Sequence, residues 1–343
     1  MSAPIKVGVI GAGGNTTQLH IPLLLEQDNV EIVVVCNRSQ ASSQKVADEF
    51  NIARIASTWM EVVTDPEVTA VVIGTWPYTH KAMVIAALQN GKHVMTEARM
   101  AMDATEAHEM LAESQRHPEL IAQIVPSPFT LKWDKTIQRL LREGAIGDLL
   151  AVQINSAAPG LIDRGRSIGW RDQTQLSGMN TMGMGIFYEA ARRWVGDATS
   201  VVAMAETFVK SRLNDATGTM EAIRVPDHID ILAKLACGAQ LNMSVSAIKP
   251  GESFFHLFGT TGDIKVSITK GELTCNGQQV TVRPEDAGKW RVEAEFISAI
   301  RGNEAITHTD FTAGVQYMEF TEAVRASWQR GAVVSLPLIR AAL

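Results

Sequence analysis

The stretch IKVGVIGAGGNTTQLHIP, residues 5–22, decides the fold. Its β-branched opening reads as a strand buried on both faces, and the glycines that follow let the chain turn at once into a helix. Gly11 and Gly13 stand at the spacing of a dinucleotide fingerprint. Gly11 permits the tight bend, Gly13 lets the backbone approach a pyrophosphate, and the helix start at Gly14 and Asn15 offers free amides and a positive dipole end. Thr16 holds the third glycine position; it adds bulk where helix meets strand, while its hydroxyl can cap the helix or reach a phosphate.

Working outward, short apolar runs alternate with helix-period segments. IKVGVIG (5–11), EIVVVC (31–36), TAVVIG (69–74), HVMTE (93–97) and IAQIVP (121–126) read as strands, with helices over 39–50, 79–91 and 105–117 between them. Repeated strand, crossover helix and strand predicts a right-handed, doubly wound parallel sheet of the Rossmann type. Ligands of such sheets bind beyond the carboxyl ends of the strands. That rule gathers Gly11 to Thr16, Asn37 to Ser39, Thr75 to His80 and Glu97 to Arg99 on one edge.

After Pro126 the texture changes. An amphipathic helix, DKTIQRLLREG, stops at Gly144. Long strand-like runs follow at 149–157, 199–209, 228–247, 254–259 and 263–268, with a hairpin expected around Asn276-Gly277. Helical stretches are expected near 177–195, 290–302 and 312–330. The expected architecture is therefore α/β: a Rossmann domain over 1–125 and a substrate-binding and oligomerisation domain over 126–343, the latter α+β with an open, mostly antiparallel sheet. Its length of 343 residues accords with two cores.

Composition excludes several function classes. With 31 basic and 37 acidic residues there is no basic footprint for nucleic acid or an anionic membrane. No apolar run reaches spanning length, and the first strand starts without a basic leader, so the expectation is a cytoplasmic protein with a small-molecule partner. Cys36, Cys237 and Cys275 are widely spaced in apolar stretches and read as buried reduced thiols. The eight histidines show no metal-ligand spacing, and no metal is expected.

At the end of the second strand, where a carboxylate would hold an adenosine ribose, stands Asn37. With Arg38 and Ser39 beside it, NADP is tolerated and slightly favoured over NAD; Arg38 as a solvated residue or an adenine-stacking one fits either cofactor.

The turn ending at His20-Ile21-Pro22, the loop GTWPYTH with Thr75, Trp76, Pro77 and His80, the segment GKHV and the later WR…SG…GxxYE pattern together resemble the Gfo/Idh/MocA oxidoreductases. The resemblance implies an N-terminal Rossmann domain and a C-terminal domain whose open sheet carries substrate and often an oligomer interface, giving a homodimer or homotetramer. It implies NAD or NADP as cofactor and a sugar, cyclitol or related polyol as substrate. The family's fifth strand ends in Glu-Lys-Pro; this chain has Glu97-Ala98-Arg99, so Glu97 keeps the role at the nicotinamide ribose while the lysine's proton-transfer role has no bearer. The family's D-x-G-x-H helix finds Gly183 at the aspartate and Phe187 at the histidine, with Gly185 kept.

All three customary proton-handling residues are thus replaced, and three readings stand. In the first, Tyr188, Glu189, Asn180 and Arg171 substitute for them, with Arg99 and Trp170 on the cofactor side. In the second, bound cofactor oxidises a sugar transiently and the net reaction is a redox-neutral elimination or hydrolysis. In the third, the pocket senses nucleotide and sugar without turnover. His228, Met179, Met182 and Met184 read equally well as ordinary sheet and core residues.

Overall fold

The computed structural model describes residues 3–158, 160–179 and 183–338. The chain splits into two compact units, one of Met1–Pro126 with Arg291–Val315, the other of Ser127–Trp290 with Gln316–Leu343.

In the first unit, β1 (Ile5–Ile10), β2 (Val30–Cys36), β3 (Arg54–Ile55), β4 (Ala70–Ile73), β5 (His93–Thr96) and β6 (Ala122–Ile124) form one sheet in the order β3-β2-β1-β4-β5-β6. Every neighbouring pair in it is parallel. Helices α1 (Ile21–Leu25), α2 (Gln40–Phe50), α3 (Trp59–Thr64), α4 (Pro77–Gln89) and α5 (Ala104–Arg116) make the connections. Val7, Val9, Val71 and Val94 are fully buried, as strands covered on both faces require. The strand Arg54–Ile55 and helix Trp59–Thr64 carry too few periodic residues to read from sequence. Residues 291–315 rejoin this unit far along the chain: α9 (Val292–Ile300) packs on α1, and Ile124 N donates to Thr309 O at 3.0 Å.

The second unit is built from α6 (Asp134–Arg142), β7 (Leu149–Ala158), α7 (Thr174–Ser177), α8 (Met184–Val195), β8 (Ala198–Glu206), β9 (Ser211–Asn214), β10 (Thr219–Ala222), β11 (His228–Leu235), β12 (Gln240–Pro250), β13 (Phe254–Gly259), β14 (Asp263–Ser267), β15 (Glu272–Cys275), β16 (Gln278–Gln279) and β17 (Val334–Ser335). It also receives most of α10 (Phe311–Arg330). Nine of these strands form a sheet in the order β16-β15-β14-β13-β7-β12-β11-β8-β17, antiparallel except where β12 runs parallel to β7. The run 228–247 is a hairpin that turns at Gly238, whose φ of +92° suits glycine. Asn276 and Gly277, both at positive φ, close the expected hairpin between β15 and β16. The helix expected over 177–195 starts only at Met184, because Gly178 and Gly183 take φ of +69° and +97°.

The cysteines are free, and Cys237 is exposed at the β11–β12 turn rather than buried as its apolar neighbours imply. Among the described residues no helix is long and apolar enough to cross a membrane.

Candidate active site

The carboxyl edge of the parallel sheet is a built crevice. Gly11 has φ +81°, and a Cβ there would lie 2.4 Å from Thr75 Cγ2 and 2.7 Å from Thr75 N, so the β1 turn and the β4 loop close on each other only with glycine between them. A Cβ on Gly13 or Gly14 would meet nothing within 4 Å; the backbone there lies open, and the first amides of the helix lack intrahelical partners. This is the environment a pyrophosphate needs.

Thr16 faces the other way. It is buried, its hydroxyl lies 3.4 Å from Gly11 O, and a Cβ on Gly74 would come within 2.1 Å of Thr16 Oγ1 and 2.6 Å of Gly11 O. The bulk at the third fingerprint position is thus accepted because residue 74 is glycine, and the Thr16 hydroxyl serves packing rather than a phosphate. Asn37 is likewise occupied: its Oδ1 accepts from Ala12 N at 2.6 Å and its Nδ2 donates to Ser42 O at 3.2 Å, tying the β2 end to the glycine turn. Ser39 caps α2 by accepting from Ser42 N at 3.3 Å. Arg38 is exposed, its guanidinium 5.5 Å from the centre of the Trp76 ring.

His80 is a stitch between loops. It is buried, with Nδ1 3.0 Å from Arg99 O and Nε2 3.1 Å from Thr75 O, and burial pushes its pKa down against those carbonyls. Pro77 starts α4, where a missing N–H costs nothing. The Ala98–Arg99 peptide is cis, and Arg99 is half-buried.

Glu97 has the most elaborate surroundings. Its Oε1 meets His20 Nε2 at 3.0 Å and the Asn15 amide, and its Oε2 accepts from Ala98 N at 3.2 Å. His20 is wholly buried, and its Nδ1 lies 2.5 Å from Glu293 Oε1 on α9. Burial alone would lower the His20 pKa; hydrogen bonds to Glu293 and Glu97 outweigh it and raise the value to about 9. Burial would raise Glu97, but the His20 bond and charge hold it below the usual carboxylate range.

In the second unit a cavity of about 1010 Å³ opens against the start of α8 and the ends of β7 and β12. Gly183 and Phe187 both line it, so the two positions the family fills with aspartate and histidine face this space. A Cβ on Gly183 would lie 2.6 Å from Ser156 Oγ, and Phe187 stacks 5.1 Å from Phe255. Arg171 lines the same cavity, with its guanidinium 4.2 Å over the Trp170 ring. Arg166 grips Asp172 by two bonds of 2.6 and 2.8 Å; burial would raise Asp172, and Arg166 holds it below its ordinary value.

Tyr188 and Glu189, expected as substitute acid–base groups, sit on other faces of α8. The Tyr188 hydroxyl accepts from Ala198 N at 2.8 Å, its ring stacks on Phe320 at 3.6 Å, and burial pushes the phenol well above its ordinary pKa. Glu189 accepts from Ser127 N at 2.9 Å and lies 3.6 Å from Arg193. Both are packing and capping groups in this geometry. Asn180 and Met182 lie outside the described residues. His228 bonds Asp230 at 3.2 Å, two residues along its own strand.

Sequence reasoning missed two residues. Glu293 has no local signal linking it to His20. Arg212 lines the cavity almost fully buried, with Nη1 donating to Asp163 O at 2.7 Å and Arg166 O at 3.2 Å and, among the described residues, no carboxylate in salt-bridge reach. Its signal was an inverted strand pattern, Ser211 and Leu213 outward with the arginine between them inward. Among the described residues no group of three or more His, Cys, Asp or Glu converges as a metal site would require.

Two family profiles match the chain: the oxidoreductase family with an NAD-binding Rossmann fold over residues 5–123, and the GFO/IDH/MocA C-terminal domain over 135–265. The chain belongs to the Gfo/Idh/MocA family of oxidoreductases. An uncharacterized oxidoreductase of Rhizobium meliloti is 23% identical over 95% of this chain and 98% of its own. Trans-1,2-dihydrobenzene-1,2-diol dehydrogenase of Sus scrofa is 24% identical over 75% of this chain and 72% of its own. A solved structure of levoglucosan dehydrogenase in complex with NADH and L-sorbose superposes with a TM-score of 0.84 at 20% identity, covering 98% of this chain and 100% of that one.

Proposed function

We propose that this enzyme moves a hydride between NAD(P) and a hydroxyl-bearing carbon of a sugar, cyclitol or related polyol or keto-sugar. The carrying observation is the carboxyl edge of the parallel sheet, where open backbone at Gly13 and Gly14 shares one crevice with an ionised Glu97. The glycine turn and helix start would hold the pyrophosphate, Arg38 and Ser39 the adenosine end, and Glu97 a ribose hydroxyl. When bound, the dinucleotide supplies the hydride acceptor or donor. The Asn37 side chain offers no carboxylate against a 2′-phosphate, so NADP(H) should bind no more weakly than NAD(H).

The cavity of the second unit is the proposed substrate site. Arg171 and Arg212 present guanidinium donors, and Ser156, Ser246 and Ser253 present hydroxyls, to a ligand rich in oxygen. The substrates named for the relatives, levoglucosan and a dihydrobenzenediol, are cyclic and bear hydroxyls or ring oxygens. With Ala98, Gly183 and Phe187 at the customary proton-handling positions, the proton is assigned to a cavity aspartate. Asp172 is engaged by Arg166, and both oxygens of Asp227 accept from backbone, Phe208 N and Val209 N at 2.9 Å each, which leaves Asp163, whose Oδ1 accepts from Gly165 N and Arg166 N at 2.8 and 3.2 Å. Asp163→Asn should lose about 100-fold or more in kcat, the worth of a positioned base.

A homodimer or homotetramer through the outer face of the nine-stranded sheet is also proposed, where Val202 and Leu232 are paired neighbours and both exposed. Light scattering of a monomer would overturn it. For the reaction, NAD+ or NADP+ is offered with a panel of polyols and anhydrosugars, and reduced nicotinamide is followed by its absorbance. Consumption of a glycoside without that absorbance change would replace hydride transfer by the redox-neutral reading, and cofactor binding without turnover by the sensor reading.

A further inference from the structure

We propose that the substrate held in the cavity of the second unit carries a carboxylate, and that Arg212 selects it, so that sugar acids of the aldonate or uronate kind are preferred to neutral polyols. The proposal deepens the reading of this cavity as the substrate site and rests on it. The reaction is unchanged: a carbinol C–H gives its hydride to oxidised dinucleotide, the hydroxyl gives its proton to the base, and a C=O bond forms.

The fold builds a cation into the cavity wall and sets no anion against it. Arg212 is 5% exposed and lines the cavity. It stands on β9 directly opposite Glu221 of β10. Opposed residues of an antiparallel pair share a face, so topology offers Arg212 a carboxylate. That carboxylate turns away: Glu221 Oε1 accepts from Asn214 Nδ2 at 2.5 Å, and no ion pair joins it to Arg212 among the described residues. The three aspartates of the cavity wall are directed to Arg166 or to backbone N–H groups. Burial first, and then the Arg166 charge, hold the Arg212 pKa below its ordinary value against the more distant pull of Asp172, Asp163 and Asp227. An arginine keeps its proton nonetheless, so the wall retains a desolvated positive charge.

The shape of the guanidinium says what fits it. Nη1 carries two N–H groups and donates to two carbonyls, Asp163 O at 2.7 Å and Arg166 O at 3.2 Å, which fixes the plane of the head group. Nε and Nη2 have no acceptor among the described residues. Their N–H groups lie side by side along one edge, the spacing that meets both oxygens of a carboxylate in parallel bonds. A hydroxyl would accept one of these bonds and leave the buried charge without a counter-ion, which is costly. A carboxylate supplies two acceptors and the charge together. A phosphate monoester brings a further oxygen and up to a second charge, which a two-donor edge does not meet.

The test compares acids with their neutral counterparts on the full chain, with NAD+ and with NADP+: glucuronate against glucose, galacturonate against galactose and gluconate against glucitol, with glucose 6-phosphate as the phosphate arm. Turnover is read from nicotinamide absorbance, and binding of the same compounds by calorimetry in the presence of reduced dinucleotide. At least one acid should exceed its neutral counterpart by about 10- to 100-fold in kcat/KM or affinity, the worth of a bond to a charged group. In Arg212→Met that ratio should fall to within about threefold, whatever loss the two compounds share, and Arg212→Lys, which keeps the charge without the fork, should lie between. Wild-type ratios below about threefold throughout, a stronger preference for the phosphate, or a ratio that survives in Arg212→Met overturns the proposal. If Arg212→Met does not fold, the wild-type ratio and Arg212→Lys decide. Turnover of the neutral compounds alone also overturns it and leaves the polyol reading standing, whereas absence of binding and turnover across the whole panel with either dinucleotide overturns that reading and the proposal with it.

Discussion

The carboxyl edge of the parallel sheet and the start of α8 were marked by the same kind of sequence signal, a family motif with departures in it, and they differ in what the departures do. At the sheet edge Thr16 replaces a glycine and the site adapts: the hydroxyl nests against Gly74 and the Gly13–Gly14 backbone stays open. At α8, Gly183 and Phe187 replace ionisable residues and nothing adjacent rotates in to substitute, because Tyr188 and Glu189 are committed to Ala198 and Ser127. A site made of backbone tolerates side-chain change, whereas a site made of side chains on a helix is lost one direction at a time, since successive residues point about 100° apart.

The strongest way to break this contrast is Gly11→Ala. Its Cβ would lie 2.4 Å from Thr75 Cγ2 and 2.9 Å from Gly74 C at a φ of +81°, so the turn must move. Dinucleotide Kd should rise about 100-fold or more, equivalent to roughly 3 kcal/mol, measured by fluorescence titration. Retained binding would show that the crevice does not depend on its backbone.

Next comes pH. His20 holds its proton more tightly folded than unfolded, so its contribution to stability is whole below its ordinary pKa of 6.5 and is lost as pH rises through about 9. Across that window the loss is about 3 kcal/mol at most, read from urea unfolding at fixed pH values. Glu97, depressed when folded, acts in the opposite sense and loses its contribution only in acid. His20→Gln should remove the alkaline decline; an unchanged slope would mean the buried chain holds no titrating charge.

How legible each region was follows from the range of the interactions. Strand runs and the glycine turn are local, and the six-stranded sheet departs from the expectation mainly in the short pieces at Arg54–Ile55 and Trp59–Thr64. His20 and Glu293 are 273 residues apart, and only the return of residues 291–315 to the first unit joins them. Arg212 was hidden differently: an arginine facing inward on a two-stranded hairpin contradicts ordinary patterning, so a reading that trusts periodicity discards it.

Arg212 sharpens the comparison from the substrate side. Arg212→Met keeps much of the side-chain volume and removes the guanidinium. It should lower kcat/KM on the proposed polyol substrate by about 10- to 100-fold, as for a lost charge-assisted hydrogen bond, while dinucleotide Kd stays within twofold. A variant with full kcat/KM would leave that cavity without its proposed anchor.

The smallest effect belongs to Tyr188→Phe, and it separates a structural hydroxyl from a catalytic one. Removing the oxygen leaves Ala198 N buried without its 2.8 Å acceptor, a loss of about 1–2 kcal/mol, while the ring keeps its stack on Phe320. In a domain of this size the melting midpoint should fall by about 2–8 °C. Turnover should remain within about twofold of wild type, against the roughly 100-fold or greater loss that follows removal of an acid–base group. The two readouts decide between roles: lower stability with intact kcat assigns Tyr188 to the packing of α8, and intact stability with a collapsed kcat would return it to the reaction and reverse the contrast between the two regions.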